Sequence, residues 1–207
     1  MIAFCDGDAG AALRSRPVLD RDASRHLVEA LFPSHKFDLA RDSTLAEAYP
    51  RGREVFAAVF PSLSLVSAAE FAPDRPTTLD ARYYGAGRGR FIYLHAMHSV
   101  VDWFAYAVWK DGTLIRSLSV SPDNGVIEDL GQRRAFEAPF WSGERAVDAD
   151  DSDESNKYPL PFHPLELGEA ALLDLFGFQL EGAGGGLDPF EVPLCSFERK
   201  RKWLGLW

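Results

Sequence analysis

Residues 91–131 read FIYLHAMHSVVDWFAYAVWKDGTLIRSLSVSPDNGVIEDLG, and the Asp111-Gly112 pair near the middle decides the fold. The flanking runs, Asp102 to Trp109 and Thr113 to Val120, are rich in aromatic and β-branched residues. An Asp-Gly pair between two such runs is a strong hairpin signal, because a type I′ turn needs positive φ at both central positions. Taken as a two-residue loop, it sets Lys110 opposite Thr113, Trp109 opposite Leu114 and Ala107 opposite Arg116. One face then carries Trp103, Trp109, Leu114 and Leu118, and the other carries Phe104, Tyr106, Val108 and Ile115. Both faces are largely apolar, which predicts a central hairpin covered on both sides.

Working outward, Phe91 to Met97 reads as the preceding strand, and Val126 to Leu130 as the following one after a Pro-Asp-Asn-Gly turn. Ile2 to Cys5 is a short buried strand ending in a turn at Asp6-Gly7-Asp8. Asp22 to Phe32 is a helix capped by Asp22 or Asp20 and stopped by Pro33. Lys36 to Ala40 is a candidate strand, and Thr44 to Tyr49 a brief helical turn. Glu54 to Phe60 and Leu63 to Ala68 form adjacent strands about Pro61-Ser62, and Phe71 to Arg90 is mainly loop. Pro164 starts a helix that runs to about Phe176, with Gly177 as its natural C′ residue. Consecutive strands with helices near both ends make an α+β fold with a largely antiparallel sheet. Residues 1–181 are expected to form one domain, with 182–207 a Gly-rich link and a basic, aromatic tail.

Composition narrows the function. With 207 residues, 46% hydrophobic, five tryptophans and fifteen phenylalanines, the chain can build a core without metal or disulfide staples. Cys5 and Cys195 lie near opposite ends of the chain and suit a reducing cytoplasm. The N-terminus lacks the features of a secretion signal, and the apolar run Val100 to Trp109 is too short to span a bilayer. A net charge of −9 disfavours binding to the phosphate backbone of nucleic acids, which rests on lysine and arginine.

The first candidate chemistry is a cluster of His95, His98 and Asp102, which His163 and Glu166 can join. These are ligand types for a divalent metal such as zinc or iron, or for acid/base work by His98, Asp102 and His163. On a strand, however, residues 95 and 98 point to opposite faces and share an ion only if the chain turns between them. His163, just ahead of the helix at Pro164, reads more simply as a buried or capping residue.

The other motifs reduce to plain structure. Asp6-Gly7-Asp8 has the form of a phosphotransferase D-x-D, but the remaining parts are missing and a turn accounts for it. The acidic run DADDSDES lacks the glycine and terminal glutamate of a calcium loop. GAGRGR, from Gly85 to Arg90, precedes a strand and lacks the G-K-[ST] ending of a phosphate loop. No G-x-S-x-G elbow is present, and Asp6 beside Cys5 disfavours a thiolate. The tail RKRKWLGLW is the segment best suited to a partner: Arg199 and Arg201 with Trp203 and Trp207 could dock on a protein groove, an anionic membrane surface or a second copy.

Four longer stretches, LHAMHSVVDWFAYAVW, SLSVSPDNGVIEDLG, FEAPFW and YPLPFHPLELGE, carry a resemblance. They are similar to an uncharacterised family of actinobacterial proteins, a domain of unknown function, over most of the chain. The resemblance implies a bacterial, cytoplasmic protein and supplies no catalytic residue, ligand or partner. The chain departs from it in a first strand that starts beside Met1 and in the tryptophan-bearing tail. The expectation is therefore a non-enzymatic binding or protein-interaction module. The alternative is a small hydrolase or metal-dependent enzyme working at the His/Asp cluster.

Overall fold

The computed structural model describes residues 1–147, 158–181 and 186–200. Its centre is one antiparallel sheet of nine strands. In chain order these are β1 (Ile2–Cys5), β2 (Phe37–Thr44), β3 (Glu54–Val59), β4 (Leu63–Ser67) and β5 (Phe91–His98), then β6 (Trp103–Lys110), β7 (Thr113–Ser121), β8 (Gly125–Gly131) and β9 (Pro193–Arg199). Across the sheet the order is β2-β9-β3-β4-β1-β5-β6-β7-β8. The α+β architecture expected from the sequence is the one observed.

Helices cover both faces. On one lie α1 (Ala9–Arg14), α4 (Ala138–Trp141) and α5 (Pro164–Phe176), packed over Phe104, Tyr106, Val108, Leu118 and Val120. On the other lie α2 (Arg21–Leu31) and α3 (Arg82–Ala86), packed over Ile2, Phe4, Leu94 and Trp109. A third, small cluster joins Ala96, Trp103 and Ala105 to Ile127 on the same face as α2 and α3. Along β6 the even residues face α5 and the odd residues face the α2 layer, so every residue up to Trp109 is buried.

Local chemistry sets the element ends. Asp20, one of the two expected caps, accepts from Ala23 N at 2.8 Å to start α2. Asp8 does the same for α1 through Ala11 N, so the expected turn at Asp6-Gly7-Asp8 is also a helix start. Asp111 and Gly112 take φ of 50° and 77°, as a type I′ turn requires.

Two expectations change. Lys110 faces Thr113 and Trp109 faces Leu114 as read, but Arg116 faces Val108 and not Ala107. Ile115 is an extra residue, a β-bulge, and it reverses the facing of the rest of β7. Leu118 consequently joins Phe104 and Tyr106 under α5 instead of Trp103 and Trp109. The second change concerns the chain after residue 181. Pro193–Arg199 is a strand set between β2 and β3, pairing Phe197 with both Leu39 and Val55. Residues 193–199, expected as part of a link and tail, are therefore part of the sheet. A strand placed by partners more than a hundred residues away leaves no local signal in the link before it.

Candidate functional site

The expected cluster is divided between the two faces of the sheet. His95 lies on the α5 side of β5 and is 5% exposed. Its Nε2 is 3.0 Å from the Gly168 carbonyl, an acceptor only, so that nitrogen carries the proton. Burial pushes its pKa down to about 3, which keeps the ring neutral. His98 closes the same strand on the opposite side and lines a separate cleft. The period of two along the strand, which argued against a shared ion, holds here.

Asp102 and His163 do meet. Asp102 sits in the turn between β5 and β6 at φ 46°, a left-handed conformation that aspartate tolerates. His163 is the N-cap of α5, where its Nδ1 accepts from Leu165 N at 3.3 Å. Its Nε2 lies 3.6 Å from Asp102 Oδ2, and the Tyr158 ring stacks on it at 5.7 Å. With Nδ1 accepting a backbone N–H, the neutral imidazole must carry its proton on Nε2, facing the carboxylate. Nδ1 is committed to the helix cap, and Nε2 faces the carboxylate beyond hydrogen-bond distance. The pair ties the helix start to the sheet end.

The expected metal set of His95, His98, Asp102 and His163 is thus not assembled. Among the described residues no group of three or more His, Cys, Asp or Glu side chains is placed to hold an ion. The D-x-D reading also dissolves, since Asp6 pairs with Arg90 at 2.7 Å while Asp8 caps α1. Cys5 and Cys195 are free and lie in different cores, each thiol pushed up first by burial.

Arg199, expected in the partner-binding tail, makes contacts within the fold. Its guanidinium pairs with Glu70 at 2.7 Å and lies over the Phe32 ring at 4.7 Å, 13% exposed. It anchors β9 and presents little to a partner. Arg201, Trp203 and Trp207 lie outside the described residues.

Sequence reasoning missed a buried polar network under α4. Arg116 and Glu137 have no exposed surface and pair at 2.6 Å. Tyr106 Oη donates to Glu137 at 2.5 Å, Arg116 also reaches Asp129, and Arg134 N donates to Glu137. Burial opposes both charges. For Glu137 the bonds from Arg116 and Tyr106 outweigh it and hold the carboxyl below its ordinary range, while the bonds to Glu137 and Asp129 raise Arg116. Every partner is satisfied and the network fastens residues 134–141 to the sheet. The one signal in the sequence is a lone arginine in the apolar run TLIRSLSV.

What remains open is a cleft of about 620 Å³ at the sheet end, on the face opposite α5. Trp103, Val101, Val126 and Ile127 give it apolar walls. Arg75, His98, Asp74, Asp123 and Asn124 supply polar groups at its margin. Trp103 donates its Nε1 hydrogen to Ser119 at 3.1 Å, which fixes the indole as a wall. A second hollow, about 670 Å³, adjoins the start of α2, but its groups are committed: Asp20 to capping and Arg21 to Asp42.

Fold and site together define an antiparallel α+β domain with a polar-rimmed cleft and no assembled metal centre among the described residues. The chain belongs to DUF6928, a family of unknown function, whose model matches residues 1–197. No curated protein and no solved structure matches the chain. Among the described residues, no helix is long and apolar enough to cross a membrane.

Proposed function

We propose that the protein is a non-catalytic recognition module whose binding site is the cleft beside Trp103. The carrying observation is the pair of exposed aliphatics in its lining: Val101 and Val126 are 47% and 45% exposed. Clustered exposed aliphatics about a concave site are the usual mark of a surface that a partner covers. A cleft of about 620 Å³ falls within the roughly 300–1,000 Å³ typical of ligand sites. Its mixed lining suits an apolar or aromatic side chain flanked by polar or charged groups, as on a peptide segment. The two buried free thiols suit a reducing, cytoplasmic setting.

The commitment of His163 Nδ1 to the start of α5 and the placement of His98 on the far side of the sheet weigh against a hydrolase built on His98, Asp102 and His163. A screen of aromatic fragments and short peptides, followed by backbone amide NMR, tests the proposal. Hits should shift the amides of Val101, Trp103 and Val126 and be lost in Val126→Asp. Hits that shift only residues around Asp102 and His163, and survive Val126→Asp, would overturn it.

A further inference from the structure

We infer that the cleft beside Trp103 takes a small zwitterion with an apolar side chain, a free α-amino acid or a dipeptide with both ends charged. This rests on the cleft being a recognition site and names the ligand it recognises. Four ionisable side chains line the cleft: Asp74, Arg75, His98 and Asp123. None of them has an ion pair or a side-chain hydrogen bond with another of the described residues. A smaller hollow of about 240 Å³ near the end of β9 shows the contrast. There Asp38 pairs with Lys200, Arg53 with Glu198 and Arg199 with Glu70, each at 2.7 Å.

The backbone that carries the free charges is held in place. Ahead of β5, Thr77 N donates to Glu128 at 3.2 Å, and the Arg75 carbonyl accepts from Thr78 N at 2.9 Å. In the turn after β7, Asn124 donates through N and Nδ2 to the Ser121 hydroxyl, both at 3.2 Å. His98 faces Trp103 across β5 and β6, and its carbonyl accepts from Val101 N at 3.3 Å. A fixed frame bearing uncommitted polar groups leaves little ordering for binding to oppose.

Charge then selects the ligand. A molecule that fills the cleft strips water from its lining, and any charge left without a partner opposes binding. A neutral apolar compound answers none of these groups. A simple cation meets Asp74 and Asp123 and leaves Arg75 bare, and a simple anion does the reverse. One molecule bearing both an ammonium and a carboxylate answers both signs. The carboxylate suits the two parallel hydrogen bonds of the Arg75 guanidinium. The side chain has the Trp103 indole, Val101 and Ile127 to lie against. The volume, about 620 Å³, is generous for one residue and admits two.

Amide NMR titration of the full chain tests the inference, read at Val101, Trp103 and Val126. The ligands are L-phenylalanine, the dipeptide Leu-Phe, N-acetyl-L-phenylalanine, L-phenylalanine methyl ester and neutral benzyl alcohol. At least one of the two zwitterions should bind, and which one is tighter tells the amino acid from the peptide. The N-acetyl and methyl ester forms should each bind about tenfold or more weakly than phenylalanine. Arg75→Gln should erase the disadvantage of the ester and keep that of the N-acetyl form. Asp74→Asn combined with Asp123→Asn should do the opposite. Benzyl alcohol binding as tightly as the zwitterions, a capped form that loses nothing, or variants that leave both ratios unchanged would each overturn it. If zwitterions fail while screened fragments still bind at Val126, this inference falls and the recognition cleft stands. If nothing moves those amides, both fall.

Discussion

Arg116 and Glu137 come from β7 and from the turn leading into α4, 21 positions apart, and their charged groups meet at 2.6 Å with no solvent access. Desolvating two charges cancels much of their attraction, so the pair adds little net stability over apolar residues. Breaking it is different, because one buried charge is left alone. Arg116→Met should lower unfolding stability by about 3–5 kcal/mol, and Arg116→Met combined with Glu137→Met should recover most of that. Urea denaturation of the cycle measures both. Glu137 is held below its ordinary value near 4.5, so its contribution is present above that value. It is lost as the pH falls through the folded-state value.

The histidines make separate predictions by NMR. His95 should stay neutral, proton on Nε2, until about pH 3. Its pKa in the fold lies below the ordinary 6.5, so the unfolded chain binds the extra proton in between. Stability from this residue is complete above about pH 6.5 and falls on acidification by up to about 1.4 kcal/mol per pH unit. A His95 signal that titrates at the ordinary value would contradict the burial argument. For His163, Asn should replace the cap with little loss, whereas Ala should cost about 1 kcal/mol.

Gly131 and Gly112 test the bulge at Ile115. Both have positive φ, 82° and 77°, so alanine is strained at either position. A Cβ on Gly112 meets nothing within 4 Å, while one on Gly131 would lie 2.1 Å from the Ile115 carbonyl oxygen. Gly112→Ala should cost about 1 kcal/mol, and Gly131→Ala several times more, measured by thermal unfolding. Equal losses would show that the bulge carbonyl moves freely.

The parts of the fold that were legible in the sequence are those fixed by neighbours along the chain. Pro164, His163 and Gly177 bracket α5 within its own segment, and Asp111-Gly112 sets the hairpin without help from elsewhere. The separation of His95 from His98 followed from strand geometry alone. The bulge at Ile115 was hidden because the residues that accommodate it lie elsewhere in the chain: Gly131 admits the carbonyl, and Glu137 receives Arg116. β9 was hidden for the same reason, since its place depends on Leu39 and Val55. The cleft could not be read at all, because residues 72–75, 98–103 and 121–127 meet only once the sheet is formed.

The most direct measurement of the recognition claim is the dissociation constant of the best-binding fragment or peptide for three proteins: the natural chain, Val126→Asp and His163→Asn. Recognition at the cleft predicts a weakening of about tenfold or more in Val126→Asp, the equivalent of about 1.4 kcal/mol, and an unchanged constant in His163→Asn. The reverse pattern, with His163→Asn abolishing binding and Val126→Asp leaving it intact, would contradict the claim.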